Sequence, residues 1–187
     1  ISGRALTGRA NPIRIAVAGF GPIAVIGVTG ALLMGLVTWV LLGLNPVHPG
    51  YFIALLIVTS LSFTSLAYAL RVAIGSPQTA VFLVALILQL PSAGGTFPVA
   101  MLGNFYQLLS YIAPMTYSIQ AFRVAISGGS DFTYWKSMAA LIGILLVSIA
   151  VVVGFIYRRQ RFRMRDLHPP MVTSSSTADY AFSVRAR

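Results

Sequence analysis

An uncharged run of thirty residues, from Ile15 to Leu44, constrains this 187-residue chain more than any other feature. About 20 helical residues cross the hydrocarbon core of a bilayer, so the run is long enough to span it with tilt. Charged residues make up only 9% of the chain, against roughly 25% in ordinary soluble domains. Because so few charges cannot cover the surface of a soluble globule, the sequence predicts an all-α integral membrane protein.

Helix-breaking turns divide the apolar sequence into four predicted transmembrane spans, and turns rich in proline and glycine separate the first three. Together they form a predicted membrane domain over 15–157, with spans at about 15–44, 51–74, 78–98 and 132–157. Pro91, Gly94 and Gly95 interrupt the third span.

The two ends of the chain are polar or basic. Residues 1–14 are a basic segment, and residues 158–187 begin with arginines and continue as a tail that we expect to be disordered. Because the chain begins with Ile1 rather than methionine, we expect it to be part of a longer protein.

The segment 92–131 is too broken for a simple span and too apolar for a water-filled loop. Two apolar stripes with helical spacing occur in it, one from Phe105 to Ile112 and one from Met115 to Ile126, separated by Ala113-Pro114. The pattern predicts a pair of short amphipathic helices over about 104–127 that lie at, or dip into, the outer membrane face.

Basic residues are distributed unevenly around the four predicted spans. Eleven of the thirteen lie on the side that holds both chain ends, and only Arg123 and Lys136 lie on the other. Because basic residues favour the cytoplasmic side, both ends of this segment are predicted to be cytoplasmic. The outer interface is then marked by aromatic residues, namely Trp39, Tyr51, Phe52, Tyr134 and Trp135.

Several chemistries are excluded by residue type. There is no cysteine, and Lys136 is the only lysine, so the chain has neither a thiolate metal site nor a phosphate-binding loop. The run Gly19–Ala24 imitates a dinucleotide fingerprint, but the first acidic residue is Asp131, which favours a kinked membrane helix instead. His48 and His168 are isolated. We therefore expect no enzyme activity, metal or cofactor, and no nucleic-acid binding, because the positive charges lie outside the apolar runs.

Polar residues within the apolar sequence allow two interpretations each. The hydroxyls from Thr59 to Ser65 either bond their own helix backbone and permit close packing, or line a substrate path. Gln89 either bonds backbone freed by Pro91 or faces a pathway. Arg123 either extends to lipid headgroups or pairs with an anionic substrate or a soluble domain. A basic cluster follows the last span and either anchors the chain to anionic lipid or docks a partner; it comprises Arg158, Arg159, Arg161, Arg163 and Arg165.

Three short elements resemble the C-terminal membrane region of the YhgE/Pip (phage infection protein) family. They are Leu90-Pro91-Ser92-Ala93-Gly94-Gly95-Thr96-Phe97-Pro98, Ala113-Pro114-Met115-Thr116-Tyr117, and Arg123 with Ile126-Ser127-Gly128-Gly129. That region is in turn similar to the membrane domain of type-2 ABC exporters. The resemblance covers about residues 13–160 and implies the plasma membrane of a bacterium. The residues that it suggests for a pathway or gate are Gln89, Pro91, Gly94, Gly95, Thr96, Pro98, Pro114, Thr116, Tyr117 and Arg123.

The resemblance also implies an architecture and partners. This chain would hold the last four spans of a six-span exporter-like fold, whose first span and large extracytoplasmic domain precede it. The implied function is outward movement of a lipid, peptide or other amphiphile, in a homodimer or hetero-oligomer and with an ATPase subunit supplied in trans. The alternative is a non-transporting anchor or assembly subunit of a secretion or cell-envelope complex.

Overall fold

A computed structural model describes residues 11–94, 101 and 103–165, and over 159–165 it describes the backbone alone. Within these ranges the chain forms six main helices and no strand, which confirms the all-α prediction. The helices are α1 (Pro12–Val40), α2 (Pro49–Ile74), α3 (Gln78–Ser92), α4 (Asn104–Ile112), α5 (Pro114–Ser127) and α6 (Asp131–Arg165). The predicted basic segment 1–10 and the tail 166–187 lie outside the described residues.

Three of these helices, α1, α2 and α6, are long and apolar enough to cross a membrane. By contrast, α3 has 15 residues and a length of about 22 Å at 1.5 Å per residue, which is less than a hydrocarbon core of about 30 Å. The predicted third span reaches residue 98, whereas α3 ends at Ser92, one residue after Pro91. Residues 95–98 lie outside the described residues.

Two other helices also have boundaries that differ from the predicted ones. α1 begins at Pro12, where the backbone N–H of Ile13 donates to Asn11 Oδ1 at 3.1 Å, and it ends at Val40 rather than at residue 44. α6 does not stop at residue 157 but continues to Arg165. Because arginine and glutamine are good helix formers, a basic sequence that ends a membrane span need not end the helix.

The long helices pack around α2, which contacts α1, α5 and α6. One end of this bundle, here the loop end, carries residues 41–48 and 128–130, and the opposite end carries the turn 75–77. Each end of the bundle is stabilised by its own cluster of buried side chains. The cluster toward the turn 75–77 comprises Ala16, Tyr68, Ala69, Val72, Val152 and Ile156. The cluster toward the loop end comprises Leu55, Ala121, Val124, Tyr134, Met138 and Leu141.

Helix α5 lies lengthwise along α2 and α6. Its C-terminal half contributes to the cluster near the loop end, and its first residue, Pro114, lines a cavity with Leu66 and Ser148. Ser148 lies 17 residues into α6, which is about 26 Å from the start of that helix. Helix α5 therefore lies alongside the long helices, and the placement of the amphipathic pair at a membrane face stays a prediction.

The C-terminal end of α5 is bonded to the loop between α1 and α2. The backbone N–H groups of Val47 and His48 donate to the carbonyls of Ile126 and Ala125 at 3.2 and 3.1 Å. These bonds satisfy two of the terminal carbonyls that an α-helix cannot pair internally.

Candidate pathway and gate at the end of α3

The last turn of α3 loses its regular hydrogen bonding at Pro91, which has no N–H to donate. The hydroxyl of Ser92, which is fully buried, donates to the carbonyl of Gln89 at 3.1 Å. The backbone N–H of Ala93 donates to the same carbonyl at 2.9 Å. Gly94 then takes a positive φ of 69°, a conformation open to glycine and costly for most other residues, and turns the chain out of the helix.

Arg123 of α5 reaches the end of α3. Its Nη2 donates to the carbonyl oxygen of Gly94 at 2.6 Å. Because the C-terminal end of a helix carries a partial negative charge, a guanidinium is a suitable partner for it. Neither of the two sequence interpretations of Arg123 anticipated this contact, which ties α5 to the point where α3 breaks.

The turn between α4 and α5 is closed by bonds within its own sequence. Ala113 and Pro114 are buried, and the hydroxyl of Tyr117 donates to the carbonyl of Tyr111 on α4 at 2.7 Å. Thr116 is also buried, and its Oγ1 has no hydrogen-bond partner in the described part of the chain. Three residues suggested by the resemblance, Pro114, Thr116 and Tyr117, thus lie together at this turn.

A largely apolar cavity of about 580 Å³ lies between α3, α6 and the turn from α4 to α5. Two polar side chains, Gln89 and Ser148, line it, and both are buried. Gln89 is 6% exposed, and its Oε1 has no hydrogen-bond partner among the residues described. The Gln89 side chain lines this cavity, and its predicted place in a pathway stays a prediction.

The described site residues lie in two places. Pro91 and Gly94 lie at the end of α3, where Arg123 bonds to Gly94. Gln89 and Pro114 line the cavity, and Thr116 and Tyr117 follow Pro114 in α5. Gly95, Thr96 and Pro98 lie outside the described residues. Their assignment to a gate stays a prediction.

The arginine cluster lies at the end of α6. Arg158 is exposed. The backbone at Arg159, Arg161, Arg163 and Arg165 continues the helix, and these four side chains are not described. Lipid or partner contact by this cluster stays a prediction.

In the hydroxyl-rich part of α2, Ser62 and Ser65 bond to backbone carbonyls, whereas Thr59 Oγ1 is buried and has no partner among the described residues. Ser62 Oγ lies 2.8 Å from the carbonyl oxygen of Leu141 on α6 and 2.9 Å from that of Val58 in its own helix. Ser65 Oγ donates to the carbonyl of Ser62 at 2.8 Å. On the side facing α1, a Cβ built at Gly27 would lie 2.7 Å from Thr64 Oγ1. The close-packing interpretation agrees with these contacts.

Aromatic residues that the sequence assigned to an interface form a packed cluster near the loop end. Tyr51 and Tyr134 stack with ring centroids 4.3 Å apart, and the Tyr134 hydroxyl donates to the carbonyl of Tyr51 at 3.0 Å. Trp39 and Phe122 each pack edge-on against Phe52. Sequence reasoning missed the bonds from Ser62 to Leu141 and from Tyr134 to Tyr51, because both acceptors are backbone atoms. The only signal in the sequence was a hydroxyl-bearing residue within an apolar run.

Within the described ranges, no group of three histidine, cysteine, aspartate or glutamate residues is placed to hold a metal ion. The expectation that the chain needs no metal or cofactor stays a prediction.

Comparison with known proteins places the chain in a family. Residues 4–153 match the family model described as ABC-2 family transporter protein. The uncharacterized protein YhgE of Bacillus subtilis (strain 168) is 38% identical over 137 residues, which cover 73% of this chain and 18% of that relative. The chain thus spans less than a fifth of the length of this relative. No solved structure matches it. The family match and the relative confirm the resemblance, and this helical membrane protein belongs to the ABC-2 family of transporter proteins.

Proposed function

We propose that the chain is the membrane domain of an exporter-like permease that moves a lipid, peptide or other amphiphile outward. Family membership supports this function at the coarse level. The single observation that carries it is the bond from Arg123 to Gly94, which joins the helix pair α4–α5 to the break in α3. The break in α3, the turn between α4 and α5, and the bond from Arg123 to Gly94 together form a gate that opens when this bond breaks.

The shielding of irregular backbone supports this role. Non-helical backbone at membrane depth is tolerated where protein covers it or where it lines a cavity. At Ala93 and Ala113 the chain leaves helical structure, and both residues are buried. In an exporter, such a covered break can close a pathway between two membrane halves and open it when α5 moves away from α3.

The topology that accompanies this proposal has four spans. In it, α3 and the residues that follow it complete one crossing, the loop end faces outward, and both ends of the segment are cytoplasmic. The asymmetry in basic residues supports this orientation. The longer protein would supply two further spans and an extracytoplasmic domain.

The proposed assembly places two such membrane halves in a bacterial plasma membrane with an ATPase subunit. The chain has no phosphate-binding loop, since its only lysine is Lys136. Nucleotide hydrolysis would therefore be carried out by a partner. Arg158 and the arginines that follow it would contact anionic headgroups at the cytoplasmic face.

The test is transport by the full-length protein in proteoliposomes with its candidate ATPase subunits. We expect nucleotide-dependent export of a fluorescent amphiphile. Because hydrogen bonds from charged groups are worth about 1.5–3 kcal/mol, Arg123→Gln should change the transport rate by about tenfold or more. Lys136→Gln, which removes the other basic residue on the predicted outer side, serves as the control, because Lys136 is exposed. Absence of nucleotide-dependent transport with every candidate ATPase would contradict the proposal.

A non-transporting anchor of a secretion or envelope complex is the second candidate. The observation that favours it is how little of the relative is matched. The match covers 18% of YhgE, so the other 82% (100 − 18) lies outside it. Purification of the untruncated protein in mild detergent, followed by mass spectrometry, distinguishes the two functions. A stoichiometric ATP-binding subunit supports export, whereas a large envelope assembly without one supports the anchor.

A further inference from the structure

The cavity between α3, α6 and the α4–α5 turn contains a buried polar atom for which packing alone gives no reason. Gln89 Oε1 is buried and has no hydrogen-bond partner in the described part of the chain. A buried acceptor without a partner is costly. Because the side chain lines the cavity, a bound molecule can supply the missing donor.

The surroundings of Gln89 define the rest of the ligand. Apolar side chains form nearly all of the cavity wall, and three that line it are also exposed on the flank of the bundle: Leu88, Ile112 and Val147. The cavity is therefore open toward the flank that would face lipid. Its volume of about 580 Å³ lies within the range of about 300–1,000 Å³ that is usual for ligand sites.

The depth of Gln89 determines where the donor must lie on the ligand. Gln89 is 11 residues after Gln78, the first residue of α3, and so about 16 Å along the helix. Half of a hydrocarbon core is about 15 Å thick. A charged headgroup at that depth is very costly, whereas a hydroxyl can be held there by one hydrogen bond.

We infer that this cavity binds a single-chain amphiphile that carries a hydroxyl, or an equivalent neutral hydrogen-bond donor, near the middle of its chain. The Oε1 atom of Gln89 accepts the hydrogen bond, and the walls from α3, α4 and α6 enclose the hydrocarbon on either side. This inference deepens the proposed export function by naming the ligand chemistry. Its test uses binding alone, without nucleotide or ATPase, so its failure is distinguishable from a failure of transport.

The test is photolabelling of the full chain in phospholipid nanodiscs. The probe is a hydroxystearate with its hydroxyl at mid-chain and a diazirine at the chain end, and the comparison probe is the methoxy analogue, which cannot donate. We expect labelled residues to map to the cavity. We also expect the hydroxy probe to reach half-saturation at a concentration about two- to tenfold lower than the methoxy probe, as for one neutral hydrogen bond.

Two matched pairs of variants locate the site. Gln89→Met should remove the preference for the hydroxy probe, whereas Gln120→Met, at an exposed glutamine on α5, should retain it. Gly143→Leu should reduce labelling by both probes, since Gly143 lines the cavity and a Cβ there meets no atom within 4 Å. Gly154→Leu has the same open surroundings elsewhere on α6 and should leave labelling unchanged.

Four outcomes would overturn the inference. Equal half-saturation by the two probes would mean that any acyl chain fills the cavity, including those of bilayer phospholipids. A preference that survives Gln89→Met would exclude the proposed acceptor. Equal effects of Gly143→Leu and Gly154→Leu on labelling would exclude this location. Absence of label from the cavity residues in the full chain would also exclude it, because another segment would then cover the cavity. Gel filtration of each variant confirms that it is folded.

Discussion

Helices α1 and α5 make opposite use of apolar residues. In the most apolar 18-residue window of α1, only 6% of the residues are buried, and large aliphatic side chains such as Ile26, Leu33 and Met34 point outward. In α5, a helix of 14 residues, the buried positions hold small or polar side chains, among them Ser118, Ala121 and Ala125. Apolar character therefore does not predict burial in these two helices. In α5 the buried side chains are mostly small and permit close approach of helices, as expected where lipid replaces water.

The contrast is not complete, because α1 has one tight line of contact with α2. A Cβ at Gly35 would overlap the side chain of Leu56, and one at Gly19 would overlap the Tyr68 hydroxyl. The outer face of α1 differs, since a Cβ at Gly30 would meet nothing within 4 Å. The comparison can therefore be tested with substitutions of the same type at buried and open positions.

The largest effect is expected at the centre of α5. Ala121 is fully buried, so Ala121→Leu should lower the free energy of unfolding by about 3 kcal/mol, at the upper end for overpacking. Ala18→Leu, on the exposed part of α1, should change it by less than about 0.5 kcal/mol. Steric trapping in bicelles measures both values. Similar losses at the two positions would break the contrast between α5 and α1.

A smaller effect is expected on the line of contact between α1 and α2. Gly27→Leu should cost about 1–2 kcal/mol, because the new Cβ would lie 2.7 Å from Thr64 Oγ1 and 3.1 Å from Ser60 Oγ. Gly30→Leu should be neutral or stabilising, since leucine forms helix better than glycine. The same unfolding measurement applies. If Gly30→Leu is as costly as Gly27→Leu in the full-length protein, another segment covers the outer face of α1.

Removal of one hydroxyl from the aromatic cluster should lower the free energy of unfolding by less than Gly27→Leu does. Tyr134→Phe keeps the ring stack on Tyr51 but deletes the bond to the Tyr51 carbonyl, for an expected loss of about 1 kcal/mol. Tyr111→Phe is the control, because the Tyr111 side chain is exposed and its carbonyl still accepts from Tyr117. A loss at Tyr134 no larger than at Tyr111 would show that stacking alone holds this end of the bundle.

The smallest effect is expected at Ser62. Ser62→Ala should cost about 0.6 kcal/mol, the average for a hydrogen bond between membrane helices, since it deletes the bond to Leu141 on α6. Ser65→Ala deletes a bond within α2 and should cost less. Thermal unfolding of the two variants side by side resolves the difference. An equal or larger loss for Ser65→Ala would mean that the contact between α2 and α6 adds no stability.

Elements that depend on local pattern could be predicted from the sequence. The spans around α1, α2 and α6 follow from uncharged length, and the bounds of α4 and α5 follow from apolar spacing and from Pro114. What covers a helix face does not follow from local pattern, so the contact of α5 with α2 and α6 could not be predicted. Helix α3 ends at Ser92, between Pro91 and Gly94, and the extension of the predicted third span to residue 98 stays a prediction.

The candidate site was predictable only as a set of residues. The acceptor of the Arg123 bond is a backbone carbonyl, and its position depends on how two distant helices pack. For the same reason, sequence alone could not separate the group at the end of α3 from the group at the cavity. The predicted roles of Gly95, Thr96 and Pro98 still await a test.

The backbone bonds from Val47 and His48 to the end of α5 have a mechanical consequence. They fix one end of α5 to the hairpin of α1 and α2, while its other end, at Pro114, borders the cavity. A swing of α5 would therefore pivot at the loop end, with the largest displacement at Pro114. The two loop amides should then exchange with solvent deuterium as slowly as helical ones. Faster exchange during the proposed transport cycle would show that these two bonds break when α5 moves.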